Sequence, residues 1–186
     1  MLRLTNIYKL FNPGTVDEKT ALASINLQLN PGDFVTVIGS NGAGKSTLMN
    51  VISGAIQPDM GEVVIDGRDV TRMPEFQRSA YIGRVFQDPM AGTAPRMTIE
   101  ENLAMAYKRG QSRGLRIGVT RRKRDMFREQ LSRLGIGLEN RLRAKVGLLS
   151  GGERQALSLL MATFTNPRIL LLDEHTAALD PARADL

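Results

Sequence analysis

The stretch GSNGAGKST, from Gly39 to Thr47, constrains this chain more than any other. It matches G-x-x-x-x-G-K-[ST] and lies between an apolar run, FVTVI, and a segment with helical spacing. Glycines at such spacing let backbone amides curl around phosphate oxygens without Cβ clashes. A helix that starts there turns its positive end and unpaired amides toward the same anion. On this reading Gly39, Ser40, Asn41, Gly42, Ala43 and Gly44 form the cradle, and Lys45 reaches the β and γ phosphates. The Ser46 hydroxyl suits magnesium, a hard cation, and Thr47 holds the α phosphate. A structural turn or a dinucleotide fingerprint competes. The fingerprint, however, would need its third glycine where Thr47 stands, and it gives no reason for the lysine and serine pair.

The rest of the chain reads as one cytoplasmic α/β domain. With 42% hydrophobic and 24% charged residues, 186 residues can bury a sizeable core. No apolar stretch approaches the roughly 18 residues that span a bilayer, and the start has strand-like alternation in place of a secretory signal. Zero cysteines exclude disulfides and thiolate metal sites. LRLTNIYKL and ALASINLQL predict a small β layer that feeds FVTVIG as a buried strand. EVVID and YIGRVFQ predict two further strands. Lys45 to about Ile52 predicts one helix. A capping box, Thr98 with Glu101, opens a second, and Thr120 to Leu134 predicts a third with Met126, Phe127, Leu131 and Leu134 inward. The last helix begins near Gly151 and ends at Asn166 and Pro167, after which RILLLDE reads as a fully buried parallel strand.

That last strand delivers Asp173 and Glu174 to the carboxyl edge of a parallel sheet, where open α/β sheets bind ligands. With a phosphate loop upstream, Asp173 is expected to accept magnesium-bound water. Glu174 is expected to orient or activate the water that attacks the γ phosphate in line. His175, the one histidine, is read as a packing residue or one supporting the acids from behind, with a direct phosphate contact as the alternative, and not as a second base.

LLSGGERQ, Leu148 to Gln155, starts a helix before those acids, and Ser150 with Gly151 and Gly152 would make an ordinary N-cap there. Taken with the phosphate loop, Gln87 in VFQDP and LLLDE followed by ALD, it makes the chain resemble the nucleotide-binding subunit of ATP-binding cassette (ABC) proteins. The resemblance implies an α/β P-loop NTPase of ABC ATPase type. Such a fold has a mostly parallel central sheet, an N-terminal antiparallel β layer and an inserted helical subdomain. It implies a nucleotide-binding core over residues 1–87, a helical insertion over 88–149, and the signature helix with the Walker B part of the core over 150–186. It also implies ATP and Mg2+ as ligands, Ser150, Gly151 and Gly152 facing the nucleotide of a second subunit in a head-to-tail dimer, and Gln87 at magnesium or the attacking water. It further implies that Phe11, with Tyr8 as competitor, stacks on adenine, a core role being the alternative for either, and that Asp180 lies in the loop that crosses the dimer interface, a cap of the helix beginning at Pro181 being the alternative. In similar proteins a switch histidine follows after another strand. The 186 residues are therefore expected to be a cassette truncated before it, binding ATP and turning it over slowly.

The pattern departs from the family at Glu153, where glutamine is commoner, at Ala177, where serine is usual, and at His175, where proline is frequent. None of these removes a phosphate ligand. Net charge is +6, but Lys108 to Lys145 holds 13 basic and 3 acidic residues, so the basicity is local. A solvated helix face, anionic headgroups and nucleic acid all suit such a segment. With Phe127 the one aromatic between Arg109 and Lys145, the stacking platform of a nucleic-acid site is missing, which favours the membrane side. The expected function is thus the ATPase subunit of a bacterial importer for small solutes, amino-acid-like ones among them, on the inner face of the cell membrane. Its expected partners are a permease, a second cassette and an extracytoplasmic solute-binding protein. The alternative is a soluble cassette ATPase of a nucleic-acid, ribosome or cofactor-assembly machine.

Overall fold

The computed structural model describes residues 1–111 and 117–173. It divides into two compact units, Met1–Ile82 and Gly83–Leu186.

The first unit is built on an antiparallel sheet. β1 (Leu2–Phe11) lies between β2 (Lys19–Leu29) and β3 (Met60–Ile65), and the short β4 (Arg68–Asp69) completes the order β2-β1-β3-β4. Alternation in LRLTNIYKL puts Leu2 and Leu4 inside, opposite Ile65 and Val63 of β3, and a register shift at Asn6, whose φ is 52°, turns Ile7 inward as well. α1 (Lys45–Ser53) contributes Val51 and Ile52 to the buried set. A one-turn helix, α2 (Glu75–Arg78), was not legible in the sequence. It brings Arg78 inside, fully buried. The Arg78 guanidinium donates to Val51 O at 2.7 Å, Ile52 O at 3.0 Å, Thr71 O at 2.8 Å and Met73 O at 3.0 Å. Two of those acceptors are last-turn carbonyls of α1, which have no partner within the helix.

FVTVI is not a strand here. Residues 33–40 carry no regular structure, and Phe34 and Ile38 are 87% and 90% exposed. An apolar run becomes a buried parallel strand only where neighbours complete its hydrogen-bond ladder on both sides. No described strand pairs with this one.

In the second unit, α3 (Ile99–Tyr107), α4 (Arg121–Ser132) and α5 (Gly151–Thr163) enclose a core of Ile99, Leu103, Phe127, Leu131, Leu138, Val146, Leu157 and Met161. Phe127 and Leu131 are fully buried as expected, with Met126 and Leu134 packed at the margin. Tyr107, Phe127 and Phe164 meet edge to face, with centroids 5.8 to 6.5 Å apart. The expected capping box is present: Thr98 Oγ1 accepts from Glu101 N, and Glu101 Oε2 accepts from Thr98 N at 2.7 Å. β5 (Ile82–Val85) and β6 (Ile169–Leu172) pair as a two-stranded sheet. The Asp173 amide donates to Val85 O at 3.1 Å, so the carboxyl ends of the two strands meet, as they do in a parallel pair. β6 is not fully buried. Leu171 is inside and Leu170 is 38% exposed, because β6 has β5 as its one described neighbour.

Candidate functional site

The phosphate loop lies in the first unit and ends at Gly44, the N-cap of α1, with φ 88°. That left-handed conformation suits glycine, and a Cβ there would collide with Ala21 O of β2. Gly42 also has positive φ, and Ala43 N closes a turn onto Ser40 O at 3.2 Å. The first turn of α1 contains no acidic residue, so no side chain of that turn offsets its positive end. The Lys45 ammonium is folded back on the loop, donating to Gly39 O at 2.6 Å and Ser40 O at 3.0 Å. Ser46 is exposed, Thr47 is half-buried, and Ser40, Asn41, Gly42 and Ala43 lie at the surface. These groups fit a polyphosphate, since loop backbone, a positive helix end and an ammonium converge on one exposed turn.

Phe11 stands at the end of β1, half-buried, with the Lys9 ammonium 5.7 Å from its ring centroid. Tyr8, the competitor, pairs across to Met60 of β3.

In the second unit the two sheet-edge candidates come together. Gln87 is exposed two residues beyond β5, and Asp173 follows β6, whose end meets that of β5. Asp173 Oδ2 is 4.0 Å from Nη2 of Arg84, whose guanidinium also covers the Phe86 ring at 4.6 Å. Arg84 beside the acid was not singled out in the sequence; its place one strand residue before Val85 is the signal that could have found it. Among the described residues no group of three or more His, Cys, Asp and Glu could hold a metal ion. Glu174, His175, Ala177 and Asp180 lie outside the described residues.

The signature starts α5. Ser150 is the N-cap: its Oγ accepts from Glu153 N at 3.3 Å while Glu153 Oε2 accepts from Ser150 N at 2.8 Å. Glu153, a departure from the commoner glutamine, closes a capping box and also binds Arg141 at 2.8 Å. The bond from the Ser150 amide, more than the Arg141 charge, holds its carboxyl below the ordinary glutamate range. Beside Gly151 and Gly152 a Cβ would meet nothing, so both present bare backbone at an exposed helix start.

The basic segment proves partly internal. Arg124 clamps Glu100 through two bonds, 2.7 and 3.1 Å, Arg128 and Arg133 pair along α4, and Arg109 reaches Ala162 O. Phe127, fully buried, offers no stacking face.

The ABC transporter family model matches residues 22–177. The chain is 42% identical to the tyrosine transport ATP-binding protein of Clostridioides difficile (strain R20291), over 97% of this chain and 72% of that protein. It is 36% identical to a spermidine/putrescine import ATP-binding protein of Spiroplasma citri, over 97% of this chain and 47% of that one. A methionine import ATP-binding protein of Enterococcus faecalis (strain ATCC 700802 / V583) is 35% identical; the chain aligns in full and spans 51% of it. Among solved structures, the ATP-binding cassette MJ0796 in a dimeric post-hydrolysis state bound to ADP and Pi has a TM-score of 0.82 at 31% identity. The match covers 98% of this chain and 77% of that one. A family match over most of the sequence, agreeing with an exposed phosphate loop and a capped signature helix, leads to one conclusion: the chain belongs to the ABC transporter family, as an ATP-binding, ATP-hydrolysing cassette.

Proposed function

We propose that this cassette powers uptake of a small, amino-acid-like or polyamine-like solute through a separate membrane permease, in a bacterium, as one of two cassettes that close head to tail around ATP. The observation that carries the reading is the phosphate loop: left-handed Gly44, an acid-free helix start and an ammonium resting on its own loop carbonyls. Relatives named for tyrosine transport, spermidine/putrescine import and methionine import support the solute class.

In this mechanism Lys45 leaves Gly39 O and Ser40 O for the β and γ phosphates, and the amides from Gly39 to Thr47 hold the remaining oxygens. Phe11 carries the adenine. Magnesium, when bound, neutralises phosphate charge; Ser46 and Asp173 are its proposed protein contacts, by the chemistry of their oxygens. Glu174 accepts the proton of the attacking water, and Gln87 orients that water. Ser150, Gly151 and Gly152 present a hydroxyl and amides to the γ phosphate on the opposite cassette. Residues 1–87 serve as core, 88–149 as the insertion that meets the permease, and 150–186 carry signature and acids. The cationic excess of the insertion favours the anionic inner leaflet, where the permease and, across the membrane, a solute-binding protein complete the machine.

The test is Glu174→Gln beside Lys45→Ala. Glu174→Gln is expected to lower phosphate release at least about a hundredfold with Mg·ATP affinity kept, whereas Lys45→Ala loses affinity. Unchanged release from Glu174→Gln would remove Glu174 as the base. Co-purification from membranes with a polytopic protein supports import. Salt-sensitive RNA or DNA binding in its place would overturn it.

A further inference from the structure

β2 begins at Lys19, whose Cα pairs with that of Phe11 at the end of β1. Directly opposed residues of an antiparallel pair project to one face, so the ammonium stem and the phenyl ring are neighbours. That corner of the sheet backs the phosphate loop. Lys19 Nζ lies 3.4 Å from the place a Cβ would occupy on Gly42, and two residues further along β2, Ala21 O packs against Gly44. Lys19 is exposed and has no hydrogen bond or ion pair among the described residues. Its neighbour Glu18 is turned toward the preceding turn, where its Oε2 accepts from Gly14 N at 2.6 Å. A second ammonium thus stands beside an anion-binding loop whose own Lys45 is already satisfied by two carbonyls.

We infer that Lys19 is a further binding residue of the nucleotide site, adding a charge contact to the polyphosphate beside Gly42. This rests on the ATP reading of the loop. A phosphate chain lying on the loop amides comes within reach of Nζ by rotation of the lysine stem, with no movement of β2, and gives a partner to a cation that has no ion pair among the described residues. Two cations from separate elements would also make affinity depend on how many phosphates the ligand carries.

The experiment is calorimetric titration of the full chain with Mg·ATP, for the unchanged protein, Lys19→Met and Lys19→Arg, at low and high salt. Lys19→Met is expected to bind roughly three- to tenfold more weakly at about 50 mM salt, with a smaller difference at about 500 mM, since an exposed charge contact is screened. Lys19→Arg is expected to stay within about twofold of the unchanged chain. Thermal unfolding should not move, because the side chain is exposed at a strand start. Equal affinity in Lys19→Met overturns the assignment. So does a loss that is the same at both salt concentrations and shared by Lys19→Arg, which would mark a packing effect. Absence of Mg·ATP binding by the unchanged chain removes the ATP reading itself and the role of Lys19 with it.

Discussion

At the scale of single residues, the decisive positions are those where a side chain has one workable arrangement. Gly44 is one, since its left-handed φ and its contact with Ala21 O both exclude a Cβ. Gly44→Ala is expected to cost about 1 to 3 kcal/mol of stability and to abolish measurable Mg·ATP binding, checked by urea unfolding and calorimetry. Arg78 is the other. It is a fully buried cation held by four carbonyls, and burial lowers its pKa against a smaller opposing pull from Asp69. Arg78→Met keeps much of the volume but strands those carbonyls, two of them closing α1. A loss of about 3 kcal/mol in urea unfolding is expected. The glycine was legible in the motif. The arginine was not, because an isolated arginine in a polar stretch gives no sign of which carbonyls will surround it.

At the scale of elements, caps and faces were readable where a local rule forms them. Thr98 with Glu101 closes a capping box, as expected, and Ser150 with Glu153 forms a second by the same spacing. Glu153 ties its helix to pH. Its folded carboxyl titrates below the ordinary range, so its contribution is present above the unfolded pKa and is lost as pH falls through the lower folded value. Glu153→Gln keeps the box without the charge. The stability difference between the two proteins, followed by thermal unfolding, is expected to be below about 1 kcal/mol near pH 7 and to shrink below about pH 4. α4 shows the opposite case. Its basic run suggested a solvated or membrane-facing stripe, yet Arg124 reaches Glu100 at the start of α3, a pairing 24 residues apart that periodicity cannot announce.

At the scale of the whole molecule, function is shared between chains, since Ser150, Gly151 and Gly152 are proposed to act on the nucleotide of a second cassette. With Glu174→Gln slowing turnover, ATP is expected to shift the protein from monomer to dimer in analytical ultracentrifugation. Adding Ser150→Arg should prevent that shift while leaving calorimetric ATP binding in the monomer within about twofold, because Ser150 lies exposed at the start of α5. Dimerisation that survives Ser150→Arg would exclude the signature from the interface. Monomer ATP binding lost in that variant would show that the signature serves its own chain.

What the sequence determined alone was what short-range rules govern: the glycine spacing of the phosphate loop, the alternation at the start of β1, the boxed start of α3, the serine cap of α5 and the apolar face of α4. These depend on contacts a few residues apart, and the same physics acts in any context. Tertiary structure alone decided whether an apolar run became a strand. FVTVI and ILLL carry the same local signal, yet ILLL pairs with β5 while FVTVI stays outside any described ladder. It also decided that Arg78 is interior, that Arg124 clamps Glu100 and that Lys19 stands beside Gly42. Each of these depends on partners distant along the chain, and a residue's own neighbours carry no record of them.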